Sequence, residues 1–225
     1  NQLDIPRNRF IIQMPTGSGK TRTAMEVLTN FLNEAKENTV VVWLAHSAEL
    51  CEQAHAAFRE VWEHIGQHDV SLIRMWGKDA YSIAGIGGRS VVIASFQKAY
   101  SLFKGGTGRA DGIPEKVGLV VVDEAHKAIA RTYKKTIEGF MGDDTRVIGL
   151  TATPGRSAID TAENKRLSEF FFGKTIDIDT PGDESVIEHL RQRGVLSRAE
   201  YHEIITDTSF TLTTRERQNV ENYFD

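Results

Sequence analysis

Residues 14–21, MPTGSGKT, combine two glycines, a lysine and a threonine in a spacing that suits phosphate binding. Gly17 and Gly19 let the backbone curl with its N–H groups pointing inward, at a helix start whose dipole favours anions. The Lys20 ammonium would reach the β- and γ-phosphates of a nucleotide, and the Thr21 hydroxyl would ligate Mg²⁺. This stretch therefore predicts a phosphate-binding loop, or P-loop.

The loop departs from the general pattern G-x-x-x-x-G-K-[ST] at its first position, where Met14 stands in place of glycine. Pro15 has a fixed φ and shapes the start of the loop, provided that Met14 is extended, as a residue before proline prefers. The loop follows the apolar run FIIQM and opens a helical pattern, which is the context that a P-loop requires. The alternative is a glycine-rich turn with a solvated lysine. The predicted nucleotide-binding residues are Pro15, Thr16, Gly17, Ser18, Gly19, Lys20 and Thr21.

A second candidate site lies in VVVDEAH, residues 120–126, where a buried run ends in two carboxylates. Asp123 would hold Mg²⁺, directly or through water, and Glu124 would act as the general base on an attacking water. An Asp-Glu pair after a strand is by itself often a helix cap. The P-loop upstream favours the catalytic interpretation, because together the two segments supply both halves of a nucleotide-hydrolysis site.

Short apolar runs alternate along the chain with stretches of helical spacing. Six runs are rich in β-branched residues and apolar on both faces, whereas a seventh, at 174–180, alternates. The pattern predicts an α/β fold with a mostly parallel sheet, helices on both faces and ligands at the carboxyl ends of the strands. The six runs are Phe10–Met14, Thr39–Ala45, Val70–Gly77, Ser90–Ser95, Leu119–Asp123 and Arg146–Thr151.

The composition is that of an ordinary globular chain of 225 residues, with 40 % hydrophobic and 26 % charged residues. A net charge of −4 means that any nucleic acid must be bound by a local patch and by backbone amides. The single cysteine, Cys51, excludes an internal disulfide framework and fits a reducing compartment. Since no apolar run is long enough for a membrane span and no signal segment is visible, we expect a cytoplasmic protein without membrane contacts.

Several motifs occur in an order that resembles superfamily 2 helicases and translocases. MPTGSGKT, DEAH and the TAT of GLTATPGR are similar to motifs I, II and III of that superfamily, whose motif I commonly lacks the first glycine. WLAHSAELCEQA, residues 43–54, resembles motif Ia, and VVIASFQKAY, residues 91–100, resembles the motif that follows it. The resemblance covers roughly residues 10–156 and is strongest to the DEAH group of type I and type III restriction motor subunits and excision-repair helicases.

The resemblance implies a RecA-like P-loop NTPase domain that binds ATP and Mg²⁺. In the family pattern the P-loop residues hold the triphosphate, with Lys20, Asp123 and Glu124 in catalytic roles and Thr21 and Asp123 as metal ligands. His126, Thr151 and Thr153 would couple the nucleotide state to domain closure. The residues expected along the nucleic-acid track are His46, Ser47, Ser95 and Gln97, and Ser47 stands where many relatives have arginine.

The resemblance also implies partners beyond this chain. Superfamily 2 motors use a second RecA-like domain with an arginine finger, and no segment after Arg156 resembles one. We therefore expect residues 1–180 to form the first RecA-like domain and 181–225 to be an extension toward the second, with helical spacing at 184–194 and an edge strand at 200–207. We expect a nucleic-acid partner, DNA rather than RNA, and weak ATP hydrolysis by the isolated chain.

Two other classes of function remain open at this stage. A P-loop ATPase or kinase that acts without nucleic acid would share the loop but usually lacks the DEAH–TAT pairing. A non-catalytic scaffold is disfavoured because Lys20, Thr21, Asp123 and Glu124 are all intact. The three tryptophans could stack on bases, but their apolar surroundings favour core packing.

Overall fold

The computed structural model describes residues 8–78, 86–103, 113–128, 130–152, 161–180 and 185–197, with side chains omitted at 161–164. Their strands form one sheet in the order β3-β4-β2-β5-β6-β1-β7, and every neighbouring pair is parallel. The strands are β1 Arg9–Gln13, β2 Val40–Ala45, β3 Ser71–Met75, β4 Ser90–Ser95, β5 Val117–Val122, β6 Arg146–Thr151 and β7 Thr175–Ile176.

Helices connect the strands and cover both faces of the sheet. α1 and α2 pack on one face through Leu28 and Phe58, and α3, α4 and α5 pack on the other through Ala99, Ile137 and Leu167. The helices are α1 Lys20–Glu34, α2 Ala48–Ile65, α3 Phe96–Phe103, α4 Arg131–Gly139, α5 Thr161–Phe170 and α6 Val186–Gln192.

The central strands are buried on both faces, which explains their continuous apolar runs. Every residue of β2 and of β4 is buried, and β5 is buried except at Gly118. A side chain on either face of these strands therefore enters one of the two helix-covered cores, where each fully buried aliphatic side chain contributes about 1.5–3 kcal/mol. The predicted fold class is confirmed.

The edge of the sheet departs from the sequence expectation. The alternating run at 174–180 forms a strand of only two residues, β7, because only Thr175 and Ile176 pair with β1. α6 lies within the predicted helical stretch 184–194. The predicted edge strand at 200–207 lies outside the described residues.

The tryptophans are packed into the protein, as their apolar surroundings predicted. Trp43 has no exposed surface and Trp76 is 6 % exposed. Trp62 is half-buried and lies against Phe58, with ring centres 5.4 Å apart. Among the described helices, none is both long enough and apolar enough to cross a lipid bilayer.

Candidate functional site

The parallel register brings the predicted site residues to one edge of the sheet. At the ends of β2 and β4, Ala45 lies opposite Ser95, and at the ends of β1 and β6, Gln13 lies opposite Thr151. β5 lies between β2 and β6, so that Asp123 emerges at the centre of this carboxyl edge. The predicted nucleotide residues follow β1, β5 and β6, and the predicted nucleic-acid residues follow β2 and β4.

The P-loop is shaped by two glycines in the left-handed region. Gly17 has φ 79° and Gly19 has φ 88°, a conformation that other residues adopt only at a cost. A Cβ atom added at Gly19 would meet no atom of the described residues within 4 Å, so this part of the chain leaves open space in front of the loop. The N–H of Met14 donates to the Thr151 carbonyl at 3.0 Å, which ties the start of the loop to the end of β6.

Polar contacts inside the P-loop stabilise its middle but do not cap the first N–H groups of α1. The Ser18 hydroxyl donates to the Pro15 carbonyl at 2.7 Å, and Ser18 is itself buried. The Lys20 ammonium rests 3.4 Å from the Met14 carbonyl. No side chain caps α1, and its first turn carries no acidic residue. The first N–H groups of α1 therefore present a positive dipole end to an anion.

Thr21 lies in the first turn of α1, and Asp123 directly follows β5. The N–H of Asp123 donates to the Leu44 carbonyl at 2.9 Å, and its Oδ1 accepts from the Glu124 N–H at 3.0 Å. Burial raises the pKa of the Asp123 carboxyl, and the Glu124 carboxylate raises it further. The positive charges of Lys20 and His46 lower this pKa. The Asp123 carboxylate therefore interacts with a charge from the P-loop and with a charge from the predicted nucleic-acid residues.

Glu124 and His126 form a pair beside the end of β6. Glu124 has φ 54° and ψ 52°, an uncommon conformation for a non-glycine residue, and a 3-10 turn at Ala125–Lys127 follows. The Nδ1 atom of His126 lies 3.2 Å from Glu124 Oε2 and 3.4 Å from Thr151 Oγ1. The structure thus brings His126 and Thr151 of the predicted coupling set together with the catalytic candidate Glu124. The third member of the coupling set, Thr153, lies outside the described residues.

The predicted track residues line a groove of about 540 Å³ on the other half of the edge. Ser47 caps α2 by accepting from the Leu50 N–H, and Ser95 accepts from the Lys98 N–H at the start of α3, both at 3.3 Å. Two helix starts therefore face the same groove. Its lining consists of His46, Ser47, Ala48, Trp76, Gly77, Ser95, Gln97, Lys98 and Ser101.

Trp76 and Lys98 line this groove but were not among the predicted site residues. Trp76 follows β3, and its indole N–H donates to Glu52 at 3.0 Å. The Arg74 guanidinium lies over the indole at 4.7 Å and is paired with the same carboxylate. The sequence signal for Trp76 was its position near the end of the apolar run Val70–Gly77, but its apolar setting favoured the core.

A further contact comes from the segment after α6. A Cβ atom at Gly17 would lie 3.4 Å from Leu196 Cδ2, so this leucine approaches the P-loop. The N–H groups of Val195 and Leu196 both donate to the Leu190 carbonyl, at 2.9 and 3.2 Å, and so hold Leu196 beside the end of α6. No motif in the sequence predicted this approach.

Residues 1–156 match the protein family described as "Type III restriction enzyme, res subunit". The ATP-dependent DNA helicase mph1 of Sclerotinia sclerotiorum is 27 % identical over 196 residues, which are 84 % of this chain and 15 % of that protein. This chain thus spans only a small part of the length of that relative.

Solved structures share the fold. The Hef helicase domain of Pyrococcus furiosus aligns with a TM-score of 0.61 at 24 % identity, covering 80 % of this chain and 37 % of that one. The Type ISP restriction-modification enzyme LlaGI, solved with a DNA substrate mimic, aligns with a TM-score of 0.59 at 14 % identity, covering 84 % of this chain and 19 % of that one. The family match extends over more than half of the 225 residues. The chain belongs to the type III restriction enzyme res-subunit family and is a superfamily 2 RecA-like motor domain.

Proposed function

We propose that this chain is the ATP-binding and ATP-hydrolysing domain of an ATP-dependent DNA helicase or duplex translocase. The observation that carries the proposal is the meeting of three features at one edge of the sheet. These are the P-loop after β1, the Asp123–Glu124 pair after β5 and the groove at the starts of α2 and α3. A motor needs nucleotide and polymer sites close enough for each to affect the other.

The nucleotide is ATP, held by the seven residues Pro15 to Thr21. Left-handed Gly17 and Gly19, the open space before Gly19 and the uncapped start of α1 suit a bound triphosphate. Lys20 would leave the Met14 carbonyl to pair with the β- and γ-phosphates.

The donor set also suits Mg²⁺. In the described part of the chain, no three His, Cys, Asp or Glu side chains cluster as a metal cage. Mg²⁺ needs no such cage, because it is usually bound by one or two protein oxygens with phosphate oxygens and water. Thr21 and Asp123 would hold the ion, which would neutralise charge on the phosphates. Burial and the neighbouring Glu124 carboxylate raise the pKa of the Asp123 carboxyl, and a bound cation would offset both effects, which supports this assignment.

Glu124 is the proposed general base. It would accept a proton from the water that attacks the γ-phosphorus, as the bond to the ADP oxygen breaks. Its side chain is 31 % exposed, so water reaches it, and His126 at 3.2 Å orients it. His126, Thr151 and Thr153 are proposed to relay the state of the phosphates to domain closure.

The groove is the proposed nucleic-acid track, with His46, Ser47, Ser95 and Gln97 as contacts. Two helix starts would offer backbone N–H groups to phosphates, and Lys98 adds a charge. This arrangement explains how a chain of net charge −4 could bind a polyanion locally. DNA is favoured over RNA because mph1 is named a DNA helicase and LlaGI was solved with a DNA mimic.

We further propose that residues 1–180 form the first of two RecA-like domains and that 181–225 lead toward the second. The 15 % share of mph1 that this chain covers leaves room for such a domain in a longer protein. An arginine finger from it would stabilise the transition-state charge, so the chain alone should hydrolyse ATP weakly.

MgATP binding by Lys20→Ala tests the nucleotide site. We expect the variant to lose at least about tenfold in affinity, because a charge-assisted contact to phosphate contributes about 1.5–3 kcal/mol. A fluorescent ATP analogue displaced by ATP gives the affinity. Lys36→Ala, at an exposed lysine just after α1, is the matched control and should bind as the parent chain does. Equal affinity in Lys20→Ala would contradict the assignment.

A further inference from the structure

A second cleft, of about 430 Å³, lies at the opposite end of β1 from the P-loop. Arg9 opens the strand and Gln13 ends it, so roughly 13 Å of strand separate the two ends. The cleft is bounded by β1, α4 and α5 and is independent of the groove described above. The lining residues of this Arg9 cleft are Arg9, Lys134, Arg166, Glu169 and Phe170.

The Arg9 guanidinium is held in place by aromatic rings. Its central carbon lies 4.8 Å from the Phe170 ring centre and 5.4 Å from that of Phe172. Nη1 is at the limit of hydrogen-bonding distance, 3.5 Å, from the Phe170 carbonyl. Stacking on the rings fixes the orientation of the planar guanidinium and leaves N–H groups at its edge free to donate. Less conformational entropy is therefore lost when a ligand binds.

Arg9 also carries an unused donor. Its Nε atom is buried and has no hydrogen-bond partner in the part of the chain that the structure describes. Burial lowers the pKa of this guanidinium, and the charge of Glu138 only partly offsets the effect. Because this Nε has almost no accessible surface, a ligand in the cleft would bind the guanidinium through its other nitrogens.

Positive charge exceeds negative charge around the cleft. Arg9 and Arg166 have no carboxylate within 4 Å among the described residues. Lys134 lies 3.8 Å from Glu138, and both side chains are about half exposed, so that pair neutralises little. Three cations therefore face two acids, Glu138 and Glu169.

We propose that the Arg9 cleft binds a phosphate group, with Arg9, Lys134 and Arg166 as its donors. The three cations come from β1, α4 and α5, and so approach from different directions. A tetrahedral phosphate offers oxygens in three or more directions, whereas a carboxylate offers two in one plane. The group comes either from a free phosphate-type anion or from a nucleic-acid backbone outside the track groove.

Arginine side-chain NMR of the 225-residue chain tests this directly. The chain carries Lys20→Ala to remove phosphate binding at the P-loop, and sodium phosphate is added at constant ionic strength. We expect the Arg9 Nε–Hε signal to shift along a saturating curve. Arg166→Gln should raise the half-saturating concentration about tenfold, the loss of one charge-assisted hydrogen bond. Arg59→Gln, at an exposed arginine of α2, should leave the curve unchanged.

A second arm, with single-stranded oligothymidylate, distinguishes the two sources. An Arg9 shift at far lower concentration than with phosphate, weakened by Arg166→Gln, identifies a nucleic-acid strand. A response to phosphate and none to the oligonucleotide identifies a free anion. Non-saturating Arg9 shifts with both probes, or curves unaltered by both Arg166→Gln and Lys134→Gln, would overturn the proposal.

Discussion

The Nδ1 atom of His126 lies 3.2 Å from the carboxylate of Glu124, within a turn that follows the buried strand β5. The same nitrogen lies 3.4 Å from the Thr151 hydroxyl at the end of β6. One imidazole thus connects the proposed general base to the neighbouring strand. This contact gives His126 a physical role in orienting Glu124, separate from any contact with nucleotide.

His126→Ala should slow ATP turnover in the longer protein without weakening ATP binding. The reason is that Glu124 would keep its charge but lose its orientation, and small misplacements cost up to about a hundredfold in rate. Steady-state kinetics should show a fall in kcat with KM for ATP almost unchanged. Lys135→Ala, at an exposed position of α4, is the control. A change confined to KM would show that His126 binds the substrate instead.

Glu124 sits in a strained backbone conformation, with φ 54°. Glu124→Gly should therefore be more stable than Glu124→Ala by about 1 kcal/mol, since only glycine adopts this region without penalty. Both variants lose the same carboxylate, so the difference between their free energies of unfolding reports the cost of the backbone conformation at this position. Urea unfolding of the 225-residue chain measures it. Equal midpoints would mean that the residue relaxes and that no strain is stored there.

Local chemistry was predictable where it is contiguous in sequence. The P-loop needs only the order of its own residues, and the buried runs of β2, β4 and β5 reveal strands covered on both faces. The short β7 was not predictable, because pairing at a sheet edge depends on the neighbouring strand and not on alternation alone. Of the seven residues in the alternating run at 174–180, only two form the strand.

Long-range contacts account for the rest of what the sequence did not predict. Trp76 reaches the groove because Glu52, 24 residues earlier, accepts from its indole. Arg9 and Phe170 are separated by 161 residues and meet only when α5 packs against the sheet. A single sequence carries no signal for such pairs, because neither residue stands in a recognisable spacing with the other.

Asn33 joins α1 to the end of α2. Its Nδ2 donates to the Ile65 carbonyl at 2.9 Å, and its Oδ1 accepts from the Gln67 N–H at 3.0 Å. Asn33→Ala should lower the free energy of unfolding by about 1–2 kcal/mol relative to Asn30→Ala. Asn30 is exposed on the same helix, so both variants gain the same helix propensity. Matching unfolding curves for the two variants would show that water replaces both bonds at no cost.

Cys51 should resist alkylation in the folded chain. Burial, and then the charges of Glu52 and Asp123, raise the pKa of its thiol from 9.0 to about 12. At pH 8 this lowers the thiolate fraction by about a thousandfold, and only the thiolate reacts. Because the unfolded chain releases this proton first, the thiol also lowers the free energy of unfolding as pH rises from 9.0 toward 12. Iodoacetamide labelling with and without urea tests the first point; rapid labelling of the folded chain would contradict it.

We propose that nucleotide hydrolysis and the nucleic-acid track act together in one motor protein. The most direct test is steady-state ATP hydrolysis by the longer protein without polymer and with single-stranded DNA, duplex DNA or RNA. We expect strong stimulation of ATP hydrolysis by DNA, weaker stimulation by RNA, and loss of turnover in Glu124→Gln with ATP binding retained. ATP hydrolysis that no polymer stimulates, or that survives in Glu124→Gln, would contradict it.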